Sequence, residues 1–255
     1  MFEGDVLYMI NIKEKFIRLC KHRIKQWIWG NDLDVDYLRK CGCRIGDRVT
    51  FFSKKIYIDL TRPFLIEIGD DVKITKGVSI LTHGYDFAVL RNVYDETIGS
   101  SGKVSIGNNV FIGMNTTILK GTTIGDNVII GAGSLVNKDI PSNCVAVGNP
   151  AKPVMTLEEY YHKRKKRELH EAVLLAKAYY TRYGKKPGPE VFHEYFFLFA
   201  KRDKDYLDKY GFNYSLHIKD PDKFLKHFMN TEPTFSDYEE FIDYCKLDNV
   251  DKSTS

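Results

Sequence analysis

From Ile106 to Val136 an aliphatic residue returns at every sixth position, through Ile112, Ile118, Ile124 and Ile130, and four of the six are followed at once by glycine. A helix repeats near 3.6 residues and a flat strand at 2, so a strict period of six over five steps requires the backbone to turn a corner once per repeat. The chain here coils as a solenoid with one flat face per hexapeptide.

A second small or branched residue recurs four places after each aliphatic: Val110, Thr116, Thr122, Val128, Ser134 and Ile140. Two positions per repeat therefore point into one narrow core. Gly107, Gly113, Gly125 and Gly131 fall at the corners, where either a close backbone approach or a conformation costly for a residue with a Cβ is expected. The polar pairs Asn108-Asn109 and Asp126-Asn127 suit the turn chemistry of an outer corner. The same frame runs earlier, from Ile45 to Val49 and from Ile68 to Ile80. Each rung buries the aliphatic row of the rung beneath, so no repeat is stable alone and the open ends need caps. Residues 1–42 and the chain after Pro150 are unlike the repeat and are the candidates.

The frame breaks once. Ile80 and Ile106 are 26 residues apart, two more than four repeats, and the segment 84–103 lacks the glycine-turn register. It reads as a loop extruded from the coil, and a long loop on a compact solenoid is more often functional than idle. His83 stands at its base and is the only histidine between Cys43 and Pro153.

At 255 residues the chain can bury a sizeable core in one or two domains. A formal charge of +4 is too slight for nucleic acid to be the main partner. Cys20, Cys41, Cys43, Cys144 and Cys245 are odd in number and scattered, and Cys41-Gly42-Cys43 has no second pair to complete a zinc site. Reduced thiols in a cytoplasmic protein are the expectation. The acidic start and the lack of a long apolar run point to neither a signal peptide nor a transmembrane helix.

From Tyr8 to Trp29 apolar residues interleave with Lys and Arg as in an amphipathic helix. Packing over the first coil is favoured there over contact with a membrane surface. Asp34 to Lys40 reads as a short helix ending at Gly42. After Pro153 the composition turns aromatic and charged, and 156–255 reads as an α-helical domain. Its first helix starts at Thr156-Leu157-Glu158-Glu159 and runs to about Arg182. An aromatic-rich helix is expected over Val191–Ala200, another from Asp220-Pro221, and a last one capped by Ser236 with Glu239. The basic run Lys163–Arg167 has acidic neighbours and reads as a solvated helix face, and residues 252–255 as a frayed end. Tyr179, Tyr180, Phe192, Tyr195, Phe196 and Phe199 are candidates to choose an acceptor or to pack an assembly, although aromatics at helical spacing more often form core.

The segment KVSIGNNVFIGMNTTILKGTTIGDNVIIGAGSLVNKDIPSNCVAVGNPAKPV, with the flanking coil from about Leu38 to Val154, resembles the hexapeptide-repeat acyltransferases, in particular sugar O-acetyltransferases of the galactoside and maltose acetyltransferase type. The resemblance implies a mainly β fold: a left-handed parallel β-helix over 43–155, here with an N-terminal helical cap and the α-helical C-terminal domain. Handedness rests on resemblance alone, since parallel crossovers are ordinarily right-handed. The family further implies a homotrimer that binds acetyl-CoA in grooves between subunits, a sugar or glycan acceptor, and His83 as catalytic base. Asp59, Tyr85 and Asp86 are the candidates to orient His83 or to touch the acceptor. Acetyl-CoA contacts would fall on Met114, Gly131, Ala132, Asn137, Lys138 and Lys152. Met114 is bulkier than the family's usual residue, Asn137 stands where Thr is frequent, and Lys152 replaces an arginine. N-acetylation of an amino sugar or nucleotide sugar would use the same base. A zinc-dependent hydratase would need three histidines, and a non-catalytic scaffold would bind a partner through its aromatic C-terminal domain.

Overall fold

A computed structural model describes residues 34–212 and 218–247. The basic amphipathic stretch before Asp34 and the terminal 252–255 lie outside the described residues. The chain divides into two compact units, Met1–Leu157 and Glu158–Ser255.

The first unit is a coil with three strands per turn. β1 (Arg44–Ile45), β2 (Thr50–Phe51) and β3 (Tyr57–Ile58) make the first turn, and β4 (Ile66–Ile68), β5 (Lys73–Ile74) and β6 (Ser79–Ile80) the second. β7 (Val104–Ile106), β8 (Val110–Ile112) and β9 (Thr117–Ile118) follow, then β10 (Thr122–Ile124), β11 (Val128–Ile130) and β12 (Leu135–Val136). Strands three apart in order pair in parallel, giving the sheets β1-β4-β7-β10, β2-β5-β8-β11 and β3-β6-β9-β12. The partners Val104↔Thr122, Val110↔Val128 and Thr117↔Leu135 stand three hexapeptides apart, so one turn is three repeats. β13 (Cys144–Val147) extends the second sheet, and β14 (Lys152–Thr156) covers its edge in antiparallel pairing.

Both repeating positions are buried throughout, from Ile106 with Val110 to Val136 with Ile140. At the corners the glycines and the asparagines divide the work. Gly113 is needed for close approach: a Cβ there would lie 2.5 Å from the amide nitrogen of Ala132 on the next rung. The left-handed conformation falls instead two residues later, at Asn109, Asn115 and Asn127, with φ of 54°, 58° and 56°, and at Gly121 and Gly133 in the equivalent places.

α1 (Val35–Cys41) covers the start of the coil. Asp34 caps it by accepting the Asp36 amide, and Gly42 ends it at φ 105°. Leu38 is fully buried in the coil's aliphatic core, while Arg39 donates to the carbonyls of Ile45 and Gly46. Cys41, Cys43, Cys144 and Cys245 are free thiols.

The second unit begins along α3 (Leu157–Tyr183), the long helix expected from the repeat's end; α2 (Phe87–Tyr94) belongs to the excursion described below. α4 (Lys204–Lys209), α5 (Pro221–Met229) and α6 (Tyr238–Tyr244) complete it. Its core is aromatic: Phe192, Phe199, Phe212, Phe228 and Phe241 are fully buried. Two expectations are corrected. Val191–Ala200 is not an α-helix but two 3-10 turns, Pro189–Phe192 and Phe196–Leu198. Phe192, Phe196 and Phe199 keep the spacing of one helical stripe, but Leu198 and Ala200 are buried as well, and a single α-helical stripe does not hold all five. The last helix is capped by Asp237, which accepts from the Glu240 amide, and Glu240 reaches back to the amide of Ser236. The box is thus shifted one residue from Ser236 and Glu239, because a carboxylate stands at the cap itself. α4, capped by Asp203, is too short for its pattern to stand out in the sequence. In the basic run, Arg164 makes a bidentate pair with Glu171 and Lys165 pairs with Glu168. No helix among the described residues is long and apolar enough to cross a membrane.

Candidate active site

The site forms where the coil is interrupted. After β6 the chain leaves at Thr82 and returns at Gly102, and the two ends are zipped together. The Gly84 amide donates to Ser100, the Gly102 amide to Thr82, and His83 and Ser101 face each other in an antiparallel bridge. Between them lies α2 (Phe87–Tyr94), which buries none of its residues. The zipped base fixes the backbone of His83 to the coil whatever the excursion does beyond it.

Beneath His83 lies the corner that follows β3. Tyr57 pairs with Ser79 and Ile58 with Ile80, so the residues just past each strand stack, and the Asp59 amide donates to Ile80. The Asp59 side chain is only 1% exposed. Its Oδ1 accepts from the Thr61 amide at 3.1 Å and the Thr61 hydroxyl at 2.7 Å. Oδ2 accepts from the Thr82 amide at 3.1 Å, the Thr82 hydroxyl at 2.6 Å and His83 Nδ1 at 2.5 Å. Burial pushes the carboxyl's pKa up, but the hydrogen bonds from Thr82, Thr61 and His83 outweigh burial and hold it well below the usual carboxylate range.

An ionised carboxylate only accepts, so Nδ1 must carry the proton in this bond. Nε2 is then the basic nitrogen, and it has no hydrogen-bond partner among the described residues. The ring is held on its other side by Tyr85, edge-on at 4.8 Å, whose own side chain is 70% exposed. Asp86 is not brought to His83. It stands at the start of α2 and makes no capping bond with its side chain. Of the two aspartates, Asp59 alone pairs with the imidazole. Thr61 and Thr82 complete the constellation, although nothing in the sequence distinguishes either from an ordinary coil threonine. The stacking offset between the first two turns brings them together, and the six-residue period does not carry it.

The candidate contacts for a coenzyme divide between two corners. Asn137 and Lys138 follow β12, at the same corner as His83, with Lys120-Gly121 on the rung between. At about 4.8 Å per rung, Lys138 lies roughly 10 Å along the axis from His83. Met114, Gly131 and Ala132 share the other corner, where the Gly133 amide donates to Met114. Lys152 pairs with Val147, whose side chain lies against Gly131. Between the two corners runs the sheet β3-β6-β9-β12, with Tyr57, Ser79, Thr117 and Leu135 on its outer face. Met114 is 46% exposed, Ala132, Asn137, Lys138 and Lys152 are exposed, and neither lysine enters an ion pair among the described residues.

The model of the family described as bacterial transferase hexapeptide (six repeats) matches residues 103–138. Protein CapG of Staphylococcus aureus is 38% identical over 152 residues, covering 60% of this chain and 83% of that one. The galactoside O-acetyltransferase of Escherichia coli K12 is 36% identical over 116 residues, covering 44% of this chain and 56% of that protein. Among solved structures, a maltose O-acetyltransferase from Clostridium difficile 630 is 32% identical, covering 53% of this chain and 84% of that one, with a TM-score of 0.37. The six-residue period, the three-strand turn, the family model and the match to Protein CapG agree, and the chain belongs to the hexapeptide-repeat acyltransferases.

Proposed function

We propose that this acyltransferase moves an acetyl group from acetyl-CoA directly to a hydroxyl of a sugar or glycan, with His83 as general base. The observation that carries the reading is the fixed imidazole: Nδ1 bound to the buried Asp59 carboxylate, Nε2 left free at the root of the excursion. A sugar hydroxyl is a poor nucleophile at neutral pH. Nε2 takes its proton as the oxygen forms a bond to the thioester carbonyl carbon, and the same nitrogen returns the proton to the departing thiolate. Asp59 stabilises the imidazolium between these steps. No acyl-enzyme is needed. Acetyl-CoA supplies the activated acyl group, and the chain supplies alignment and a base.

The residues present fit that donor. Exposed backbone and small side chains at Ala132-Gly133, beside the half-buried Gly131, give a slender arm a surface to lie on, and Met114 adds an apolar contact. Lys138 and Lys152 would meet phosphates as point charges rather than bidentate forks. In this reading the coil is left-handed, the protein works in the cytoplasm as a homotrimer, and the donor lies along a groove between subunits.

Thiol release from acetyl-CoA over a panel of sugars tests the proposal. His83→Ala should lower kcat by about 10²–10⁴-fold, far more than the modest loss of stability from its bond to Asp59, with the protein still folded at the assay temperature. Equal release by both proteins would remove His83 from the chemistry.

A further inference from the structure

The C-terminal unit contains a cleft of about 820 Å³ that the acyl-transfer chemistry leaves unused. That volume lies in the range of small-molecule sites. Its apolar side is built of rings: Tyr161 from α3, Tyr195 just before the second 3-10 turn and Phe197 within it, and Phe224 and His227 from α5. Phe197 meets Phe224 edge-to-face at 5.7 Å and rests on the fully buried Phe228 at 5.0 Å, so this wall is anchored in the core. Tyr161 is 60% exposed and presents its ring to solvent.

The polar side has a particular balance. Arg164 is occupied by a bidentate pair with Glu171, at 2.9 and 2.7 Å, and Lys165 by Glu168 at 2.7 Å. Against these two cations the lining sets the carboxylates Glu168, Glu194 and Glu232, so the cleft offers little to a phosphate or another polyanion. Glu194, Glu232 and Thr234 remain around the rings, and the Thr231 hydroxyl, which donates to the Phe228 carbonyl at 2.8 Å, can still accept a hydrogen bond. Flat amphipathic rings flanked by carboxylates and hydroxyls match a molecule with C–H faces and a dense edge of hydroxyl groups.

We infer that this cleft is a binding site for an uncharged carbohydrate chain. The site stands on its own lining; that the bound chain is also the acetyl acceptor rests on the function proposed above. A second site on the same polypeptide favours polymeric over monomeric acceptors, because holding the chain raises its effective concentration.

Calorimetric titration of the intact protein with maltoheptaose, a pentamer of N-acetylglucosamine, a galacturonate oligomer and a lysine hexapeptide tests this. At least one of the two uncharged oligosaccharides should bind saturably. Tyr161→Ala should weaken that binding about tenfold without changing the melting temperature, and Glu232→Gln should weaken it severalfold. His83→Ala should bind as wild type does. The inference is overturned if neither uncharged oligosaccharide binds, if only the galacturonate or the lysine peptide binds, or if Tyr161→Ala and Glu232→Gln both bind with wild-type affinity. Tyr161-dependent binding in a protein that releases no thiol would instead overturn the acetyl-transfer reading and leave the site standing.

Discussion

The two units bury opposite kinds of core. In the coil, aliphatic residues stack on their equivalents from neighbouring turns, as Ile118 does on Ile80, and the large apolar side chains fully buried there are Ile, Val and Leu rather than aromatic. In the C-terminal unit, Phe192, Phe199, Phe212, Phe228 and Phe241 meet at varied angles, from 17° between Phe199 and Phe241 to 87° between Phe192 and Phe241. A residue in the coil owes its place to its phase in a repeat. A residue in the C-terminal core owes its place to particular neighbours, and no other residue is its equivalent.

The largest expected effect falls on that second kind of core. Phe199→Ala should destabilise the C-terminal unit by about 3–5 kcal/mol, since no neighbouring repeat can close the cavity. Hydrogen exchange reads the outcome by region. Protection should fall across 158–247 and persist in β7 to β12, in keeping with the separate compactness of the two units. Equal loss in the coil would show one cooperative structure and break the comparison.

The same contrast explains which features are legible in the sequence. The coil, its corners, its one interruption and His83 all follow from a period visible in the chain. The partner of His83 does not. β3 and β6 are offset by 22 residues and β1 and β4 by 23, whereas only the last two full turns, β7–β9 and β10–β12, are offset by 18, so Asp59 cannot be stacked under His83 by counting sixes. The extra residues lie in the bend before β3 and the 3-10 turn Pro63–Leu65, which the repeat does not predict. Phe192, Phe196 and Phe199 have the spacing of an α-helical stripe and also the burial of two 3-10 turns. Spacing shows that such residues are buried but not by which backbone.

Asp59 also sharpens the comparison through pH. The buried carboxylate belongs to the coil, and its folded-state pKa lies below the unfolded value of about 3.9, so the unfolded chain binds the proton more readily in acid. Its contribution to stability is fully present above that value and is lost as pH falls toward the folded pKa. Asp59→Asn should cost about 1–3 kcal/mol at neutral pH, by weakening a set of buried charge-assisted hydrogen bonds. It should also flatten the coil's acid decline in denaturant titrations between about pH 5 and pH 2. A variant that declines as steeply as wild type would place the acid sensitivity in other carboxylates.

The smallest expected effect tests equivalence by phase most directly. Asn127 holds φ 56° at its corner, and its side chain stands in a ladder, accepting from Asn109 Nδ2 and donating to Asn143 Oδ1, both at 2.9 Å. Asn115 holds φ 58° at another corner, but Gly133 stands one turn on, so that row carries no amide ladder between them. Asn115→Ala should cost about 1–2 kcal/mol, the penalty of a Cβ in the left-handed region, and Asn127→Ala that much plus the ladder. Asn127→Gly should lose only the ladder, a few tenths of a kcal/mol for exposed amides that water can satisfy, because glycine adopts the left-handed region freely. Equal losses for Asn127→Ala and Asn127→Gly would mean that asparagine stands at these corners for its side-chain bonds, and that phase in the repeat does not determine backbone conformation.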